Sequence, residues 1–322
     1  MDILAHDFEY ICGLARNVAA IVIDPGKEYF IESRLGPLVG GCGCKSFSEF
    51  TGLMQNGPAA GALRAKVIDA LTTNETFFFR DVLPFEIMRT SVIPKLIAQR
   101  AALRKLTIWS AACSTGQEPY SVAMLLRENF PQLAQWDVSI LATDLSPTVL
   151  TQARAGSYNQ FEVNRGLPPA LLEKYFTRSG ERWLVKDELK KGIEFRAMNL
   201  IEPWPSLPVF DLILIRNVMI YFDVPTKQMI LKRLRACLQP KGALFLGTAE
   251  TTINLDPAYV AVPYGPATVY HHAAAEHRVL EGHAHGRLGR RADRMGQGVG
   301  DQAGTQIGPL GRSRRGVGLR GA

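Results

Sequence analysis

The sequence predicts two parts: an all-helical module, then an α/β domain built on a mostly parallel sheet. Three observations carry this. At 322 residues the chain exceeds the usual size of one domain. Residues 1–90 place apolar side chains at helical spacing, with no β-rich stretch among them. From about residue 90, short apolar runs alternate with helical stretches, as strands joined by crossover helices do.

In the first part, Phe8, Ile11, Leu14, Ala15 and Val18 share one helical face, giving a helix within Asp2–Ile21. Asp24-Pro25-Gly26 breaks the chain, and Tyr29-Phe30-Ile31 with Leu35 opens a second helix. A third is expected at Ser46–Met54, with Ser46 as N-cap and Glu49 as its capping-box partner. A fourth runs from about Pro58 to Leu71.

In the second part, Leu106–Ala111 is a short apolar run, followed by Gly116 and a helix at Tyr120–Asn129. Val138–Thr143 is the next, ending in Asp144, with Ser146-Pro147 opening another helix. Ile193–Ala197, Phe210–Ile215 and Gly242–Gly247 supply three more strands, with helix signals at Thr226–Leu238. Val269-Tyr270 closes the series. Such a sheet is covered on both faces and opens a ligand crevice at the carboxyl ends of its strands.

Composition narrows the function. Hydrophobic residues make up 47% and charged residues 21%, which excludes a wholly disordered chain and a collagen-like repeat. No apolar run approaches the ~18 residues of a membrane span. The start carries acids where a secretory signal carries Lys or Arg, so a cytoplasmic protein is expected. Five cysteines argue against a disulfide framework. Cys42 and Cys44 form a C-x-C, but no histidine lies between positions 7 and 270, so a loop of reduced thiols is preferred to a metal site. Nine arginines against four acids give residues 273–322 a net +5 of the chain's +7. That tail has no aromatic residue and is expected to be disordered, with an Arg/Gly tether to an acidic surface or nucleic acid as the alternative. The body is left with little net charge, which weakens nucleic-acid binding as the main activity.

Candidate chemistry lies just after each apolar run. Ser110–Ser121 is rich in small residues, so a ligand can approach the backbone while the next helix presents its amides. Asp144 lies 28 residues beyond Gly116, where an acid commonly accepts two hydrogen bonds from ribose hydroxyls. A turn with a helix-capping Asp remains the competing reading of these two features.

Three motifs go further: Thr72-Thr-Asn-Glu-Thr-Phe-Phe-Phe-Arg-Asp81, Ala111-Ala-Cys-Ser-Thr-Gly-Gln-Glu-Pro-Tyr-Ser121 and Arg216-Asn-Val-Met-Ile-Tyr-Phe-Asp223. In this order they resemble the signatures of CheR-type chemotaxis receptor methyltransferases, over roughly residues 1–272. The resemblance implies a helical N-terminal domain with linker (1–90) and a Rossmann-like S-adenosylmethionine-dependent methyltransferase domain (91–272). A small β-subdomain is implied at about 158–197. It also implies methylation of receptor glutamates, with S-adenosylhomocysteine as by-product. By the same resemblance Asn74, Thr76 and Arg80 contact the methionine part and reacting end of the cofactor. Glu118 lies in the glycine-turn motif, Asp144 matches the ribose-binding acid, and Asn199-Leu200 the pair beside the adenine. Arg216, Asn217 and Tyr221 match the strand-end motif bordering cofactor and substrate, and Arg80 and Tyr221 are the catalytic candidates. Bland readings stand beside these: Tyr221 and Phe222 as core aromatics, Phe77–Phe79 as junction packing, Arg80 as the partner of a surface acid.

The implied partners are methyl-accepting receptors, with the membrane met only through them, and a monomer is expected. One departure matters. Family members that dock on a receptor's C-terminal pentapeptide carry a longer, glycine-rich loop where this chain has only Ser179-Gly180-Glu181, so pentapeptide tethering is not expected. Two other classes compete: a non-catalytic cofactor-binding module, and an RNA methyltransferase using the basic tail. The latter lacks the Asp/Asn-Pro-Pro-Tyr/Phe motif after the fourth strand motif.

Overall fold

A computed structural model describes residues 2–273. The tail expected to be disordered lies, beyond Ala273, outside the described residues. The chain opens with α1 (Ala5–Ala19), α2 (Glu28–Gly41), α3 (Phe47–Asn56) and α4 (Ala60–Leu71). Phe8, Ile11, Ala15 and Ala19 of α1 and Ile31, Leu35 and Val39 of α2 are buried in one core, with α4 lying against both helices. Phe47, Phe50 and Met54 of α3, with Val67, Ile68 and Leu71 of α4, complete this core. Buried Asp7 ties α1 to α3 by accepting from Ser48 Oγ (2.7 Å) and Thr51 Oγ1 (2.6 Å). Ser46 caps α3 as expected, accepting from the Glu49 amide at 3.1 Å. The Glu49 carboxylate, however, reaches back to the Lys45 amide (2.7 Å) instead of that of Ser46, so the capping pair is offset by one residue.

The second part begins with α5 (Leu83–Ile87), a π-helical turn at Met88–Val92, and α6 (Ile93–Arg100). Phe85, Met88, Val92, Ile93 and Leu96 from these elements enter the core of the sheet, not that of the helical module. Then come β1 (Lys105–Ala111), α7 (Gln117–Asn129), β2 (Asp137–Asp144) and α8 (Pro147–Ala155). The β-subdomain follows: β3 (Ser157–Asn159), α9 (Gln160–Asn164), α10 (Pro169–Tyr175), β4 (Phe176–Ser179), β5 (Arg182–Val185) and α11 (Asp187–Lys190). The main sheet resumes with β6 (Ile193–Ala197), β7 (Phe210–Ile215), α12 (Val224–Cys237), β8 (Leu238–Leu246), β9 (Tyr259–Tyr264) and β10 (Ala267–His272).

The main sheet runs β6-β2-β1-β7-β8-β10-β9. Its first five strands are parallel, and β10 is antiparallel to both β8 and β9. Both faces are covered, so β1 and β7 read as continuous apolar runs: every residue of β7 is buried, and all of β1 after Lys105. The chain winds outward from β1 through β2 to β6, then returns to place β7 on the other side of β1. That reversal is the switch point where such sheets open a crevice. The strand β9 gave no clear signal because it contains Pro263, which its place at the outer edge of the sheet tolerates.

The small sheet runs β3-β5-β4, and Gly180-Glu181 alone turn β4 into β5. It grips the main body through an aromatic cluster. The Phe78 ring meets Tyr158 at 5.1 Å and Phe176 at 5.6 Å, both edge-on, and the Tyr158 hydroxyl donates to the Thr115 carbonyl at 2.7 Å. Phe79 packs on Phe85 at 5.2 Å. Phe78 and Phe79 of the linker motif therefore serve packing, while Phe77 faces the guanidinium groups of Arg80 and Arg165. No helix among the described residues is long and apolar enough to cross a membrane.

Phe78 is fully buried where linker, β-subdomain and sheet meet. Its replacement by alanine should cost about 3–5 kcal/mol of unfolding free energy in urea titrations. A loss below about 1 kcal/mol would show that this junction repacks without it.

Candidate functional site

A cavity of about 310 Å³ opens at the carboxyl ends of the parallel strands. Four of the five parallel strands contribute: Ala112–Ser114 after β1, Asp144 at the end of β2, Met198–Leu200 after β6, Arg216–Val218 after β7. The linker supplies Leu71–Thr76 and Arg80. All ten candidate residues, Asn74, Thr76, Arg80, Glu118, Asp144, Asn199, Leu200, Arg216, Asn217 and Tyr221, line this one space. Phe77, Phe78 and Phe79 do not.

Local chemistry explains the placement. Asp144 ends β2 in a buried position, its Oδ2 accepting from the Ser114 amide (2.8 Å) and its Oδ1 from the Ser146 amide (2.9 Å). Burial pushes its carboxyl above the ordinary aspartate range, and the amides of Ser146, Ser114 and Leu145 partly oppose that rise. Each oxygen keeps a lone pair for a hydroxyl donor. Helix α7 begins at Gly116, whose φ of +94° sets the turn between β1 and the helix. Cys113 beside it is buried, and desolvation holds its thiol well above the usual value, which favours the protonated form.

Arg216 leaves β7 almost wholly buried and pairs in two directions. One guanidinium nitrogen donates to Glu118 Oε2 at 2.9 Å; the other donates to Asp81 Oδ2 at 2.7 Å and to the Arg80 carbonyl at 2.9 Å. Its Nε has no hydrogen-bond partner, and the guanidinium sits 5.9 Å from the Phe85 ring centre. Glu118 also accepts from Ser110 Oγ at 2.8 Å. Arg80 donates to the Glu75 carbonyl at 2.6 Å and lies 5.6 Å from the Phe77 ring centre. Asn74 donates to Thr72 Oγ1 (3.0 Å), and its carbonyl accepts from Ser114 Oγ (2.8 Å). Asn199 borders the cavity, but its amide nitrogen is engaged by the Val18 carbonyl at 2.7 Å and its oxygen by the Ile201 amide at 3.2 Å. It fastens the end of α1 to the sheet.

Sequence reasoning missed the roof. Ala19, Ile21, Val22, Ile23, Lys27, Tyr29 and Phe30 of the helical module close one side of the cavity. The Val22 amide donates to the Tyr221 carbonyl at 3.2 Å, joining roof to strand-end loop. These residues span the end of α1, the connection and the start of α2 and carry no local motif; the docking of two folded bodies brings them there. Lys27 within this roof is paired with Asp24 at 2.8 Å. Among the described residues no cluster of His, Cys, Asp and Glu could hold a metal ion.

Replacing Arg216 with alanine would strand Glu118 and Asp81 without their cation. Breaking a buried ion network on one side costs about 3–5 kcal/mol, and a loss of that size is expected in chemical denaturation. A loss under about 1 kcal/mol would mean that the pairs are solvated.

Comparison with known proteins places this cavity in a family. Residues 6–72 match the CheR methyltransferase all-α domain, and residues 74–262 match the CheR methyltransferase S-adenosylmethionine-binding domain. The chain is 43% identical over 269 residues to chemotaxis protein methyltransferase 1 of Pseudomonas aeruginosa, covering 82% of this chain and 97% of that one. A chemotaxis protein methyltransferase of Pseudomonas putida is 41% identical with the same coverage. Chemotaxis protein methyltransferase 1 of Vibrio cholerae is 38% identical, covering 83% of this chain and 98% of that one. The two domain matches meet within the linker that edges the cavity, and the chain belongs to the CheR methyltransferase family, with S-adenosylmethionine as its cofactor.

Proposed function

We propose that this protein esterifies glutamate side chains of chemotaxis receptors with a methyl group from S-adenosylmethionine. The names of its relatives supply chemotaxis as the setting, and the resemblance of its three motifs supplies the receptor class. The observation that carries the carboxylate substrate is the charge pattern of the cavity. Three cations line it. Arg216 is paired with Glu118 and Asp81, and Lys27 with Asp24. Arg80 donates to the Glu75 carbonyl, lies against the Phe77 ring and, second to Arg165, helps to lower the pKa of the Glu75 carboxyl, but among the described residues it forms no salt bridge. A substrate carboxylate is the partner that this guanidinium suits best.

The residues present fit the cofactor. A buried carboxylate with spare lone pairs at the end of β2 suits a pair of ribose hydroxyls. Leu145, Met198 and Leu200 form an apolar wall on which an adenine can lie, with Asn199 beside it. Asn74, Thr76 and Glu118 border the place for the methionine part, next to Arg216 and Asn217. When bound, the cofactor supplies an electrophilic sulfonium methyl group.

The protein's remaining tasks are alignment and exclusion of water. A glutamate carboxylate, with an ordinary pKa of ~4.3, is a nucleophile at neutral pH without a general base. The histidine-free wall suits that chemistry. A carboxylate and a sulfonium become a neutral ester and thioether, so charge disappears along the reaction. Burial under the roof of Ile21, Val22 and Phe30 therefore weighs on the reactants more than on the transition state. By the same logic, full neutralisation of the carboxylate by Arg80 would blunt it. Arg80 is only half-buried and shared with the Glu75 carbonyl, which tempers the clamp. The Tyr221 hydroxyl has no hydrogen-bond partner among the described residues and can orient the same carboxylate. Recognition is taken to be independent of a receptor C-terminal pentapeptide, because β4 and β5 are joined by two residues only.

Radiolabelled cofactor incubated with receptor-containing membranes should give base-labile protein methyl ester, equally on receptors lacking the C-terminal pentapeptide. Base-stable label on RNA would instead favour an RNA methyltransferase, and cofactor binding with no transfer at all a regulatory module. In this assay Arg80→Ala should lower turnover by on the order of 10²-fold in a folded protein. Near-normal turnover would remove Arg80 from the reacting end.

Asp144→Ala should weaken S-adenosylhomocysteine binding by about 1–3 kcal/mol in calorimetry. Unchanged affinity in a folded variant would refute the ribose assignment.

A further inference from the structure

One buried-side feature is left unused by the site as described. Glu250 follows β8, does not line the cavity, and makes no ion pair among the described residues. Its carboxylate instead collects four backbone amides. Oε2 accepts from Gly247 (2.6 Å) and Asn217 (2.9 Å), and Oε1 from Val218 (2.9 Å) and Ile220 (3.3 Å). Three of these donors belong to the turn after β7 that carries Asn217 and Tyr221.

The space for this carboxylate is kept open by Gly247. A Cβ there would stand 2.6 Å from Glu250 Oε2 and 2.8 Å from the Asn217 amide nitrogen. Asn217 sits at φ +59°, a conformation that costs a non-glycine residue energy and persists only where its surroundings hold it. The Glu250 bond to its amide is such a hold. Tyr221 depends on the same turn: its amide donates to the Val218 carbonyl at 3.2 Å, while its hydroxyl is anchored to nothing among the described residues. Where that hydroxyl points is thus set by the backbone, and the backbone is set by Glu250.

We infer that Glu250 is a positioning residue, which folds the 217–221 turn on its carboxylate and thereby places Asn217 and Tyr221 at the reacting end of the cavity. It acts through those residues and touches neither substrate nor cofactor. A neutral amide cannot do the same, because one of its two heads would turn N–H groups toward backbone N–H groups. The inference rests on the methyl-transfer reading for its turnover arm only.

The test uses the full chain in two variants, Glu250→Gln and Gly247→Ala, the second displacing the carboxylate with its charge intact. Amide hydrogen exchange is read on a peptide spanning residues 216–223, with β1 and β7 amides reporting that the fold is kept. Exchange in the turn should rise about tenfold or more in both variants, since each loses the acceptor for its amides. Turnover of receptor methylation should fall by roughly 10- to 100-fold, the scale of an ångström-sized misplacement. S-adenosylhomocysteine affinity should change by less than about threefold, marking a loss of alignment instead of binding. The double variant should be no worse than the poorer single one, as for two routes to one defect.

Unchanged exchange in a folded Glu250→Gln protein would overturn the inference. So would faster exchange with turnover intact, which would make the bonds structural only. If the unsubstituted protein methylates no receptor, the glutamate reading fails by itself, and the exchange measurement decides the role of Glu250 alone.

Discussion

The guanidinium of Arg216 is where the architecture converges. It stands at the end of β7, beside the switch point, and holds α7 through Glu118 and the linker through Asp81 and the Arg80 carbonyl. Sheet, first crossover helix and interdomain linker thus meet in one buried cation. Two carboxylates around one guanidinium leave the cluster with a net negative charge beside the cavity. Arginine suits the place because its planar fork donates in two directions at once, which an ammonium on a flexible stem does less well. Fixing the Arg80 backbone to this cluster also fixes where the Arg80 side chain can reach, so one cation of the cavity depends on the other.

The site carries backbone strain, and its distribution is informative. Among the described residues nine non-glycine positions have positive φ. Ala112, Ser114 and Asn217 line the cavity, and Phe79, Asp81 and Val82 flank Arg80. Each group has its restraint: the Ser114 amide is bound by Asp144, the Asn217 amide by Glu250, and the Phe79 amide by Ser121 Oγ at 3.0 Å. Conformations of this kind cost of order 1–3 kcal/mol each and survive where the surroundings over-determine them. Here the restraints are buried or half-buried carboxylates and a hydroxyl, so polar residues at the cavity hold its shape as well as its charge.

How much of this was legible in the sequence follows from range. Strand positions were readable because a sheet covered on both faces demands apolar runs, as in β1, β2 and β7, while the edge strand β6 alternates apolar with charged residues. Ser46 and Ser146 were readable as helix caps because capping is local. Seven of the ten candidate residues lie in the three motifs, Asn199 and Leu200 came from the family resemblance outside them, and only Asp144 had an independent argument from spacing. Contacts made between distant segments had no local signature. The roof residues Ile21 to Phe30 line the cavity because α1 and α2 dock there. The Asn199 amide is engaged by Val18, 181 positions away in sequence. Glu250 reads as an ordinary loop acid until the amides of Asn217, Val218 and Ile220 are seen to surround it. Pro263 concealed β9 because the same residue that weakens a strand signal is acceptable at a sheet edge.

The two-part design has a physical consequence for a bound ligand. The wall of the cavity is drawn from both the helical module and the sheet, and the module is attached at few polar points. Asn199 holds the end of α1, the Tyr221 carbonyl holds Val22, and Asp69 of α4 accepts from Ser146 and from Thr148 Oγ1 (2.6 Å) at the start of α8. These hydrogen bonds have a net worth of about 1 kcal/mol each, and apolar contact crosses the junction as well: Ala20 is buried in a core of the sheet, and Leu145 packs against the core of the helical module. Both bodies therefore share the wall of the cavity, and a ligand held there is shielded from water only while they stay in contact.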